Sequence, residues 1–179
     1  MIGNHGKENV LGVANSSVVN SGGLQTVTGG ITNRTIVNSG GVELVNSGIA
    51  NGTIIAGGLE QVAVGGAAVD VTFQGPGGKL QLDNSNLFSG EISGFGDTDV
   101  IDLRDIAFGS GTMLGYAADA GNTSGTLTLG DGINSVSLVL LGQYSAANFV
   151  LSSDGHGGTM ITEHAVVPSA SLAPSPLAA

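Results

Sequence analysis

Four aspartates, Asp97, Asp99, Asp102 and Asp105, fall within nine residues of the stretch SGFGDTDVIDLRDIAF. Short-spaced carboxylates in a glycine-containing loop supply the hard oxygen ligands that calcium takes. Asp154, in SSDGHGG, is a further acidic position of the same kind. These five residues are the candidate metal ligands, and calcium is the cofactor they suggest. The acids of GFGDTDVID are out of register with the glycine-rich calcium nonapeptide, and no EF-hand loop is present. The competing expectation is that Asp97 and Asp99 are turn residues, while Asp102 and Asp105 flank a short strand.

Other reactive residues point away from catalysis. His156 lies in DGHGGT, but the chain has no GxSxG nucleophile motif to accompany it. Glycoside cleavage needs two carboxylates on one face. Glu43 and Glu60 occupy corresponding places in neighbouring repeats, where the sequence suggests a surface pair rather than an acid/base dyad. The expectation is therefore a chain with no catalytic residues. With four Lys and Arg against fourteen Asp and Glu, net charge −10, a nucleic-acid partner is excluded, because such binding requires clustered cations. The sequence has no apolar run long enough for a membrane helix. The absence of cysteine removes disulfides and thiolate metal sites.

These residues must be positioned by two compositionally distinct regions. All seven aromatics follow position 72, and all nine aspartates lie at or beyond position 70. The earlier region repeats. Gly-Gly pairs recur at 22–23, 40–41 and 57–58, with LQTV, VELV and LEQVAV after them. Helix is disfavoured by about 1 kcal/mol at each glycine. Tight turns and short strands suit the pattern instead, and a repeat of about 18 residues whose units stack on one another is a solenoid.

The predicted fold is all-β: a parallel β-helix with coils of about 18 residues over 9–86. A lead-in precedes it at 1–8, and a β-rich terminal or capping module follows at 87–164. A Pro/Ala/Ser segment at 165–179 is expected to be disordered. Two apolar columns are expected, one of Val18, Ile36, Ile54 and Phe73, the other of Val10, Val27, Val45 and Val62. Asn15, Asn33 and Asn51 recur at one position, followed by Asp70. They are expected to occupy corners, where Asn tolerates left-handed backbone angles, and to form a structural ladder of stacked amides.

The stretch GGLQTVTGGITNRTIVNSGGVELVNSGIANGTIIAGGLEQVAVGG resembles the passenger-domain repeats of AIDA-type autotransporter adhesins of Gram-negative bacteria. The resemblance covers about residues 9–78. It implies a stalk or adhesive face at the bacterial surface, with serine glycosylation in some members; Ser21, Ser39 and Ser47 lie at turns where that could occur. The segment SGFGDTDVIDLRDIAF resembles the GDxIDL stretches of type I-secreted RTX proteins, and the region after it resembles their terminal modules. Together these imply a secreted or surface-exposed protein, with type I export since MIGNHGKENV lacks a signal-peptide pattern. The expected role is adhesin-like or that of a matrix module, with carbohydrate or a host or neighbouring cell surface as partner and no membrane insertion. The alternatives are a structural spacer or cap, and a carbohydrate-active β-helix enzyme.

Overall fold

The structure, a computed structural model, describes residues 1–96 and 98–164. Asp97 and the tail expected at 165–179 lie outside the described residues. The chain is all-β, with a parallel β-solenoid of about five turns, as the repeat predicts. The strands are β1 (Lys7–Val10), β2 (Val13–Asn15), β3 (Val18–Val19), β4 (Leu24–Asn33), β5 (Ile36–Asn38), β6 (Val42–Ala56), β7 (Leu59–Val62) and β8 (Ala67–Phe73). They continue as β9 (Lys79–Leu82), β10 (Phe88–Ser93), β11 (Val100–Leu103), β12 (Met113–Ala118), β13 (Ser124–Gly130), β14 (Ser135–Leu141), β15 (Phe149–Ser153) and β16 (Thr159–Glu163).

Each coil has three sides, and each side stacks in parallel on its counterpart one coil away. The first side runs β1, β4, β6, β7, β9, β11, with Leu24 opposite Val42, Val42 opposite Leu59 and Leu59 opposite Lys79. The second carries Val13, Ile31, Ile49 and Ala67 in line. The third carries Val18, Ile36, Ile54 and Thr72. Corners need backbone angles that most residues avoid. The left-handed corner after the second side is filled by Ser16 (φ 54°), Arg34 (φ 56°), Gly52 (φ 65°) and Asp70 (φ 55°). The corner residue is thus the one that follows each asparagine. The asparagines stand one residue before it, at the ends of β2 and β4 and within β6, where their amides reach the next coil.

The inward columns follow from the period-two alternation of strands. Val10, Val27, Val45 and Val62 are buried, as expected, and Leu82 and Leu103 extend that column. The other expected column is shifted by one residue. Val19, Val37, Ile55 and Phe73 face inward and are buried, whereas Val18, Ile36 and Ile54 are half-buried on the outer side. A one-residue register change inverts every side chain, and two adjacent β-branched residues in each unit hide which one points in. The second glycine of each pair is a close backbone approach: a Cβ on Gly41 would lie 2.5 Å from the Val19 carbonyl oxygen, and one on Gly58 2.6 Å from Val37 Cγ1.

Parallel stacking continues past position 86. β10 pairs in parallel with β8, and β11 with β9, so the solenoid takes in part of the expected capping module. Beyond them the chain reverses. β14 lies parallel to β10, then β13 and β12 add antiparallel on one face; β16 and β15 add antiparallel to β11 on the other. Tyr116, Tyr144 and Phe149 meet between the two faces, with ring centroids 5.5–6.2 Å apart, and the Tyr144 hydroxyl donates to the Phe95 carbonyl at 2.8 Å. No helix among the described residues is long and apolar enough to cross a membrane.

Candidate functional site

The aspartates suggested as calcium ligands are distributed rather than gathered. Asp99 is buried and accepts hydrogen bonds from the backbone amides of Gly78 at 2.8 Å and Gly96 at 3.1 Å. Burial pushes its carboxyl above the ordinary range, with those amides opposing the shift. Asp102 is buried and pairs with Lys79 at 2.8 Å. Asp105 accepts from the Ser85 amide and hydroxyl, both at 2.9 Å. Asp154 accepts from the amides of His156 and Gly158 at 2.7 and 2.8 Å, and its other oxygen lies 3.8 Å from Arg104 Nε. Burial acts to raise Asp154, but the two amides and the guanidinium outweigh it, and its pKa is lowered. Among the described residues no three His, Asp or Glu side chains converge in a way that could hold a metal ion. Asp99, Asp105 and Asp154 instead each fasten a turn or a strand end, whereas Asp102, expected to flank a strand, lies within β11 and pairs with a lysine of the neighbouring strand. His156 is exposed, with ring Nδ1 3.1 Å from the Asp154 carbonyl oxygen.

The asparagine ladder forms. Asn33 Nδ2 donates to Asn15 Oδ1 at 2.9 Å, and Asn51 Nδ2 donates to Asn33 Oδ1 at 3.1 Å. A second ladder, absent from the sequence reading, runs from Asn38 Nδ2 to Asn20 Oδ1 at 2.7 Å. Each rung joins residues 18 apart, so an amide in one coil orients the next. Beside the first ladder, two residues earlier on the same outer face, stand Val13, Ile31 and Ile49, which are 65%, 36% and 38% exposed. One coil spacing is about 4.8 Å. The outer face is thus a flat aliphatic stripe next to an amide stripe, repeated at that interval. An open hollow of about 250 Å³ is formed by Ala107–Thr112 and Asp131, and its lining includes none of these stripe residues. Asp131 there accepts from the amides of Ala107, Ile133 and Asn134, which hold its carboxyl below the ordinary range.

Glu43 and Glu60 are not a surface pair. Both point into the lumen and are 0% exposed. They stack in one column with Glu8 and Gln25, and the column then continues as Leu80 and Ile101. Thr32 donates to Glu43 Oε1 at 2.7 Å, and Thr53 Oγ1 lies 3.0 Å from Glu43 Oε2 and 3.2 Å from Glu60 Oε1. Thr35 donates to Gln25 Oε1 at 3.1 Å, and Gln25 Nε2 to Glu8 Oε2 at 2.6 Å. The first half of the lumen is therefore a polar network built from opposite sides of the coil. The signal was present in the sequence: Glu43 stands two residues before Val45, and Glu60 two before Val62, so each shares the inward face of its valine. The enclosed position leaves no room for a sugar ring, so the pair cannot act as a glycosidase dyad.

The chain matches no protein-family model, no curated protein and no solved structure.

Proposed function

We propose that this protein is a non-enzymatic, adhesin-like repeat module that works outside the cell and binds through the outer face of its solenoid. The observation that carries this reading is the outer stripe itself. Val13, Ile31 and Ile49 are exposed in register beside the Asn15–Asn33–Asn51 ladder. A flat, periodic face offers many equivalent weak contacts, which add by avidity toward an extended or repetitive partner. A polysaccharide or a host or neighbouring cell surface has that form. The ladder amides are mostly committed to one another, so the face is preorganised and loses little side-chain freedom on contact. The likeness of residues 9–78 to autotransporter adhesin repeats supports the same reading, as does a surface too poor in cations for polyanion binding. Type I export is part of the proposal, supported by the GDxIDL resemblance.

The full chain would be immobilised and tested against polysaccharide arrays and intact cells, beside the double variant Ile31→Asp and Ile49→Asp. The reading expects binding by the native chain and its loss in the variant at unchanged thermal stability. Binding that persists in the variant would remove the stripe from the proposal. No binding to any array or cell would favour a second reading, a spacer ending in its own cap. The reversal of strand direction at β12–β16 favours that alternative, because antiparallel hairpins interrupt coil stacking on both faces.

A further inference from the structure

The lumen network contains more hydrogen-bond contacts than its hydroxyl protons can serve. Thr53 Oγ1 lies between two carboxyl oxygens, Glu43 Oε2 at 3.0 Å and Glu60 Oε1 at 3.2 Å. A threonine hydroxyl has one proton to donate, and an ionised carboxylate can only accept. One of the two contacts therefore requires a proton on a glutamate. The partners identify which. Both oxygens of Glu43 face threonine hydroxyls, Thr32 on one and Thr53 on the other, as suits an anion. Glu60 Oε2 has no partner and no access to solvent.

We infer that the solenoid holds a structural proton: Glu60 is a carboxylic acid donating to Thr53, whose hydroxyl donates to the Glu43 carboxylate, and losing that proton loosens the repeat. The surroundings offer no cation in its place. From β1 the column receives Glu8, an acid, behind the neutral Gln25. β4 and the turn before β5 contribute Gln25, Thr32 and Thr35, all neutral. The inward residues of β8 are Ala68, Val71 and Phe73, while its Asp70 is exposed. β9 presents Leu80 and Leu82 to the lumen, and its Lys79 is engaged outside with Asp102. A second uncompensated anion beside the Glu43 carboxylate costs far more than a neutral acid there.

Burial raises Glu60 well above the ordinary carboxylate range, and the nearby Glu43 raises it further, against the Thr53 hydrogen bond. Burial raises Glu43 too, opposed by its threonine partners. The sign follows from linkage. A carboxyl whose folded pKa exceeds its unfolded one contributes stability in acid, and that stability is lost as pH rises through the folded value. The repeat is then an element that tightens in acid and relaxes in base.

The test is thermal unfolding of the full chain and of E60Q from about pH 5 to about pH 9, a range that spans the carboxyl linkage window. Gln can donate to Thr53 but cannot ionise. The native midpoint should fall as pH rises, while E60Q changes less and unfolds at the higher temperature at the alkaline end. A second measurement needs only the native chain: with side-chain carboxyl carbons of glutamate isotopically labelled, infrared spectra at neutral pH should show a protonated glutamic acid carbonyl band. Absence of that band, or parallel loss of midpoint in both proteins, would overturn the inference. If E60Q fails to fold, the labelled native spectrum decides alone.

Discussion

The repeat coils and the terminal strands solve the same packing problem with different residues. In the coils the lumen is lined by small and polar groups, with Gln25, Glu43, Glu60, Thr32, Thr35 and Thr53 beside a valine column. From β8 onward the same columns carry Val71, Leu80, Phe88, Ile92 and Ile101. Outside the lumen the contrast continues. The coils are joined by amide ladders between identical residues, whereas the later turns are fastened by aspartates that accept backbone amides. A coil followed by a copy of itself can satisfy a polar group with the same group one coil away. A coil at the end of the stack has no such copy, so the end is built from apolar packing, aromatic rings and self-contained turns.

That difference can be broken from either side. The largest effect is expected at the apolar end: Leu82→Ala, which empties a fully buried position, should destabilise by about 3 kcal/mol in denaturant titrations. Gly41→Ala should cost about 2 kcal/mol, since its Cβ would press on the Val19 carbonyl and the coils cannot separate without breaking their ladders. Glu60→Leu, which copies Leu80 one coil later, should instead stabilise by about 1 kcal/mol at neutral pH, because apolar replacement of a buried acid removes its desolvation cost. A loss of stability there would mean that the polar network contributes more than the burial logic allows.

Asn33→Ala removes two ladder rungs at one half-buried position, and about 1 kcal/mol is expected from equilibrium unfolding. The smallest effect concerns pH. Amides hold Asp131 and Asp119 below the ordinary carboxylate range, so their contribution is present at neutral pH and lost as pH falls through the lowered values. Hydrogen exchange should show the β12–β14 turns losing protection toward acid, while coils β4–β7 lose it toward base. Both regions weakening in the same direction would end the contrast.

Much of the fold was legible because a repeat states its own geometry. The glycine pairs and the spacing of 18 fix a coil, and the recurring asparagines fix a ladder along its axis. The candidate site was less legible. The clustered aspartates suggested calcium, yet side chains close in sequence are carried apart by a chain that turns corners. Asp99 thus faces Gly78 in the preceding coil, and Asp105 faces Ser85. Glu43 and Glu60 have the residue type of a surface pair, yet each shares the parity of an inward valine two positions on, and parity decides their burial.

What the sequence determined alone is the period: the spacing of Gly22, Gly40 and Gly57 and of Asn15, Asn33 and Asn51 requires stacked coils, since only stacking brings equivalent positions together. What the tertiary structure decided is direction. Whether Val18 or Val19 points inward depends on where each corner falls. A shift of one residue exchanges lumen for solvent, and the period is the same in either register.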